Sequence, residues 1–271
     1  MALVSIIMPV YNIAPFLDQA IRSVIAQTHE NWELLVINDG STDESETIIR
    51  HFTEQDERIV LLSQCNKGVS TARNVGLNSM RGDFFCFLDG DDWMPRRSVE
   101  WRLAKFSESA LIGFVDGTVE IYDEAGERIE RIWKPSFTGY PKRELLRLSE
   151  ECFFGLTWMF KRQDGEVSMF RQDLTHGEDL MFNIDNAAGK RIYAFVTDPV
   201  YCYRNRSGSA MKDFRSLISG YKALYLKFSE HDEFDFWSRQ IYLYKTRKIS
   251  LLLFLRFGRF RKVFRQLFPR A

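Results

Sequence analysis

The chain has 271 residues, 45% of them hydrophobic, enough apolar material for a core and too much for a disordered class. Lys and Arg total 37, as do Asp and Glu, so the formal net charge is zero. The balance is uneven: from Ile241 onward there are nine basic residues and no acidic one, which leaves 28 basic against 37 acidic residues before it, a net of −9.

MALVSIIMPVYN has no basic leader and reaches Pro9 too soon for a signal peptide, and Ile249 to Leu255 is far too short to span a bilayer. The four cysteines show no paired metal spacing, which fits a reducing cytoplasm. No nucleic-acid partner is expected.

The elements alternate from the start. VSIIMPV (4–10), WELLVIN (32–38), RIVLLS (58–63) and FFCFL (84–88) are short, nearly continuous apolar runs, as in strands buried on both faces of a parallel sheet. Helical patterns separate them at Pro15 to Gln27, at Asp43 to Phe52 behind a capping signature in Ser41 to Glu44 or just after it, and at Val69 to Met80. The fold class is therefore α/β, a doubly wound, mostly parallel sheet with flanking helices, whose ligands sit beyond the carboxyl ends of the strands. Four loops should converge there: Tyr11-Asn12, Asn38 to Ser41, Gln64 to Gly68 and Asp89 to Asp92.

After Trp101 a hairpin is predicted around Glu124-Ala125-Gly126, followed by irregular aromatic sequence in which Trp133, Trp158 and Phe160 are either stacking platforms or core. Residues 214 to 268 read as largely helical. The expected division is 1–110, 111–212 and a basic-aromatic helical extension over 213–271.

FFCFLDGDDW places Asp89, Asp91 and Asp92 where a strand ends. As a turn and helix cap they need only water; at the edge of a parallel sheet a carboxylate pair also offers hard oxygen ligands to Mg²⁺ or Mn²⁺, with Gly90 allowing a tight turn between them. Asp39 is a turn residue or an acceptor for a base or ribose, and Tyr11 is a packing aromatic or a stacking platform. Lys67, Arg73 and Asn74 either start an exposed helix or meet a phosphate at its N-terminus. In THGEDLMF, Glu178 and Asp179 are first-turn acidic residues or a general base, whereas His176 reads as packing.

Taken in order, SIIMPVYN, NDGSTD, NKGVSTARNVGL, FLDGDDW and HGEDLMF resemble the motifs of glycosyltransferase family 2, the inverting nucleotide-sugar transferases of the GT-A fold, over roughly the first 210 residues. The family's common DDGS is NDGS here, with Asn38 before Asp39. The resemblance implies Pro9, Val10, Tyr11 and Asp39 around a uracil, Arg73 near the nucleotide, and Asp89 on the ribose or metal side. It implies Asp91 on the metal, Mn²⁺ or Mg²⁺, Asp179 as catalytic base and Glu178 beside it. Tyr203, Arg204, Arg206 and Ser207 resemble a segment that folds over the donor diphosphate.

The expected activity is transfer from a UDP-sugar to a hydroxyl of a glycan or lipid-linked glycan in bacterial surface polysaccharide synthesis. The expected location is the inner face of the cell membrane, with the C-terminal basic helix lying on anionic lipid. A sugar nucleotidyltransferase and a non-catalytic scaffold of the same fold are the alternatives.

Overall fold

The computed structural model describes residues 1–162, 167–174, 176–187, 189, 191–206 and 214–257, the last stretch as backbone alone over 214–218 and 252–257. The predicted helix beyond 257, and Ser207, lie outside the described residues.

Four parallel strands form the first half of one sheet. β1 (Val4–Val10) lies between β2 (Trp32–Asn38) and β4 (Phe84–Phe87), and β3 (Ile59–Ser63) flanks β2. The sheet continues through β7 (Met159–Lys161), antiparallel to both β4 and β5 (Ile112–Tyr122). β5 pairs antiparallel with β6 (Ile129–Trp133), the predicted hairpin, and parallel with β8 (Ile192–Arg204), giving a mixed but mostly parallel sheet. Because β5 runs parallel to β4 through the intervening antiparallel strand, Tyr122 and its register partner Arg204 end at the edge where β1 to β4 end.

Every side chain of β1 and β2 is buried, because helices cover both faces. α1 (Ala14–Ile25), α2 (Ser45–Thr53) and α4 (Ser98–Phe106) enclose one core with Ile6, Met8, Leu34 and Val36. α3 (Val69–Ser79) and α6 (Glu178–Asn186) enclose the other with Ile7, Leu35 and Ile37, beside the short α5 (Lys142–Leu146). Trp158 (0% exposed) and Phe160 (1%) belong to this second core, which settles their two readings in favour of filling; Phe160 stacks on Phe85. Trp133 stays half-buried against Phe154.

The C-terminal helices α7 (Phe214–Phe228) and α8 (Phe236–Phe257) pack on the body rather than standing off it. Leu224, Phe228, Phe234 and Tyr242 are buried in the second core, and the Tyr242 hydroxyl donates to the Tyr221 carbonyl at 2.6 Å. Gly177, left-handed at φ 77°, begins α6; a Cβ there would come within 2.5 Å of Leu224 Cδ1, so α7 lies directly on the start of α6. His176 packs against Gly220 on the same contact, in keeping with its packing reading.

Among the described residues no helix is long and apolar enough to cross a membrane, and all four cysteines are free thiols.

Candidate active site

The four loops predicted to converge do so along the carboxyl edge of the sheet. Pro9 and Val10 are buried at the end of β1, whereas Tyr11 is 48% exposed beyond it. The NDGSTD residues interlock with this loop instead of capping α2, which corrects the capping expectation: Ser41 Oγ accepts from Asn12 N, and Asn12 Oδ1 accepts from Thr42 N. Asp43 accepts from Ala14 N and Ser45 N, so these polar groups satisfy a loop-to-loop contact.

Asp39 is 3% exposed, and its carboxylate holds the next loop. Oδ1 accepts from Gln64 Nε2 (2.7 Å) and Lys67 N (2.8 Å), while Oδ2 accepts from Gly68 N (2.9 Å). It thereby neutralises free amides at the start of α3. Lys67 itself is exposed. Asn74 departs from its phosphate reading, because its side-chain amide exchanges hydrogen bonds with the Phe170 backbone at 2.8 and 2.9 Å.

In the acidic loop the three aspartates face three environments. Asp89 is the most open, its side chain 40% exposed, and accepts from Arg73 Nη2 at 2.9 Å. Asp91, 19% exposed, lies 2.6 Å from Arg206 Nε. Burial and the neighbouring Asp89 charge raise its pKa against the pull of Arg206. Asp92 is 2% exposed, and burial, then the Asp91 and Asp89 charges, push its carboxyl well above the ordinary range. Gly90 lies in the turn and packs closely on α1's entry: a Cβ there would sit 2.4 Å from Ile13 Cδ1.

Arg204 also departs from expectation. It is 4% exposed, and its guanidinium donates to the Asp91 carbonyl, the Glu124 carbonyl and Gln19 Oε1, over the rings of Phe16 and Trp93. Three of its five N–H donors are thus spent on the protein, and this buried guanidinium supports the acidic loop from the side of β8. Tyr203 packs against Phe154.

Arg73 joins the two halves. Only 5% exposed, it reaches Asp89 with one terminal nitrogen and Glu178 Oε1 (3.3 Å) with the other, and lies over the Phe170 ring. Asp179, next to Glu178 in the first turn of α6, is raised from the ordinary 3.8 to about 6 by burial and then by the Glu178 charge, with Arg73 opposing. The Tyr221 hydroxyl of α7 is pushed up by burial and then by the Asp179 charge, in keeping with α7 lying on the start of α6. The sequence pattern had singled out neither Tyr221 nor Tyr201, and Asp92 had no role of its own; their partners are too distant in the chain to leave a local signal.

The acidic loop offers the carboxylate oxygens of Asp89 and Asp91, which fit a hard divalent cation. Asp91, penalised for its charge by burial and by Asp89, is the carboxylate such an ion would relieve. No group of three His, Cys, Asp or Glu side chains among the described residues is placed to hold a metal, so phosphate oxygens and water would have to complete the coordination.

The geometry defines a sheet edge where a strongly acidic loop meets a raised carboxylate across a buried arginine. Among solved structures, the S. aureus TarS 1–349 complex with UDP-GlcNAc superposes with TM-score 0.69 at 17% identity, covering 95% of this chain and 73% of that one. The mannosyltransferase PcManGT from Pyrobaculum calidifontis, in complex with GDP-Man and Mn²⁺, gives 0.63 at 17% identity, covering 97% and 82%. These likenesses establish a glycosyltransferase GT-A fold.

The sequence profile of Glycosyl transferase family 2 matches residues 5–167, and the chain belongs to that family. It is 45% identical to the glycosyltransferase GlyA of Streptococcus pneumoniae over 105 residues, 39% of this chain and 15% of that protein. The matches span 15%, 25% and 62% of the first three curated relatives' lengths.

Proposed function

We propose that this chain is an inverting, metal-dependent glycosyltransferase that moves a sugar from a UDP-sugar to a hydroxyl of a glycan or lipid-linked glycan. The observation that carries the reading is Arg73 bridging Asp89 on the donor-side loop and Glu178 beside Asp179, which brings the two acidic motifs to one cleft. Asp179, with its pKa raised to about 6, is still mostly ionised at neutral pH and basic enough to take the proton of an attacking acceptor hydroxyl. Glu178, held by Arg73, sustains that raised basicity and orients the acceptor. Attack from the face opposite the leaving diphosphate inverts the anomeric centre.

On the donor side, exposed Tyr11 stacks on the base at the mouth formed by Pro9 and Val10, with Asp39 behind it. Asp91, with Asp89 beside it, would hold Mn²⁺ or Mg²⁺, which when bound offsets the negative charge of the departing diphosphate. Arg206, now paired with Asp91, is the cation next to that position. The basic, aromatic C-terminal helix would lie on anionic lipid at the inner face of the membrane, near a lipid-linked acceptor for surface polysaccharide synthesis.

The testing experiment is calorimetry with UDP-, GDP-, CDP- and dTDP-sugars, each with Mn²⁺ and with EDTA. Metal-dependent binding of the UDP-sugars is expected. Binding of another nucleotide class overturns the donor, and binding of none overturns the enzyme reading.

A further inference from the structure

The acidic loop carries three aspartates, and the reading above uses only two of them. Asp92 turns away from the cleft, and both of its oxygens are spent inside the protein: Oδ1 accepts from Arg204 N at 2.7 Å and Oδ2 from the Tyr201 hydroxyl at 2.9 Å. The same Tyr201 oxygen accepts the backbone N–H of Asp89 at 3.2 Å. Arg204 Nε donates to the backbone carbonyl of Asp91 at 2.9 Å, and Trp93 and Cys202 exchange two backbone hydrogen bonds of 3.1 and 2.9 Å.

The segment from Asp89 to Trp93 is thus tied to the end of β8, through partners at least 109 residues away. Tyr201 is 5% exposed and packs nothing into the cleft; its hydroxyl joins the unused aspartate to the backbone of the first used one. The ties reach the Asp89 amide at one side of Gly90 and the Asp91 carbonyl at the other, so they govern the spacing of the two carboxylates that bracket the glycine.

We propose that Asp92 and Tyr201 are positioning residues that hold Asp89 and Asp91 at the separation a metal-bound nucleoside diphosphate requires. The inference rests on the donor-site reading of Asp89 and Asp91 given above. A loop bracketing a glycine would otherwise have to be ordered when the ligand arrives, at a cost in affinity, and outer partners of metal ligands typically govern affinity by ~10–100-fold. The same ties explain three carboxylates in four residues: two face the cleft, and the third anchors them from behind.

The test is Tyr201→Phe, which keeps the buried ring and deletes only the bridging oxygen, with Asp92→Asn as a second variant of equal shape. Mn²⁺ affinity is measured by the resonance signal of free Mn²⁺ at saturating UDP, alongside donor KM, kcat and melting temperature. The control is Tyr193→Phe, which deletes another fully buried tyrosine hydroxyl, the one donating to Asp116 at 3.3 Å, away from the acidic loop.

Mn²⁺ affinity and donor KM are expected to weaken about 10-fold in Tyr201→Phe and in Asp92→Asn, with a much smaller change in kcat, while Tyr193→Phe binds Mn²⁺ like the parent. Parent-like Mn²⁺ affinity in Tyr201→Phe, or equal weakening in Tyr193→Phe, overturns the positioning role and leaves the donor-site reading standing. A parent protein that binds no Mn²⁺ with UDP overturns the donor-site reading itself, and the positioning role with it.

Discussion

Arg73 and Glu178 meet at 3.3 Å although 105 residues separate them in the chain. With its other terminal nitrogen on Asp89, Arg73 is a charge shared by the strand-end acidic loop and the start of α6. Arg73→Met leaves Asp89 and Glu178 without that counter-charge and should cost about 3 kcal/mol of stability in urea denaturation. Arg73→Lys keeps a positive charge but not the fork, so it should fold and lose affinity on one side. A methionine variant as stable as the parent would contradict the bridging role.

Asp179→Asn preserves shape and removes the proton acceptor. Turnover should fall by about 10²–10⁴-fold while UDP affinity in Mn²⁺ stays at the parent value, because the donor site is untouched. Glu178→Gln should do less, since Asp179 remains. Retained turnover in Asp179→Asn would transfer the base role elsewhere.

The acid limb of the pH profile follows from the raised carboxyl. Asp179 acts when deprotonated, so kcat/KM should be level above its pKa and fall roughly tenfold per unit as pH drops through about 6. An ordinary carboxylate would put this limb near 4. Arg73 opposes the shift, so Arg73→Lys, with its weaker hold, should move the limb to higher pH.

Asp116 predicts a pH dependence of stability unconnected with activity. It is 0% exposed in β5, accepts from Gly117 N, Thr157 and Tyr193, and is raised from 3.8 to about 7, first by burial. A carboxyl whose folded pKa lies above its unfolded value favours folding in its protonated form. Its contribution is therefore full below pH 4 and is lost as pH rises to about 7, by up to ~1.4 kcal/mol per unit. Asp116→Asn should gain stability relative to the parent between pH 5 and pH 8 in melting experiments; a constant difference would refute the buried-acid assignment.

Trp237, Tyr244 and Leu251 recur every seven residues on α8 at 67%, 68% and 55% exposure, with exposed Arg247 and Lys248 on the same helix. This stripe begins upstream of the predicted basic tail and is exposed among the described residues. If the helix lies on lipid, Trp237→Ser with Tyr244→Ser should reduce co-sedimentation with phosphatidylglycerol vesicles several-fold, and high salt should reduce it further. Co-sedimentation equal to the parent would leave the stripe without that role.

The sequence by itself determined the sheet and the edge on which the chemistry gathers, because a strand buried on both faces must be apolar along its whole length and must surrender to polar residues where it ends. VSIIMPV, WELLVIN and FFCF therefore lie where their composition placed them, and Arg73 links Asp89 of the one acidic motif to Glu178 of the other. Tertiary structure alone decided which charge faces which. A three-residue β7 carries too little periodicity to be read, yet it sets β5 and β8 parallel to β4 and so delivers Tyr201 and Arg204 to the acidic loop. Whether an arginine meets a phosphate or a protein carboxylate depends on groups a hundred residues away. Arg73 and Arg204 read alike as donor-side cations in the chain, and burial gave one to Asp89 and Glu178 and the other to the backbone of the loop it supports.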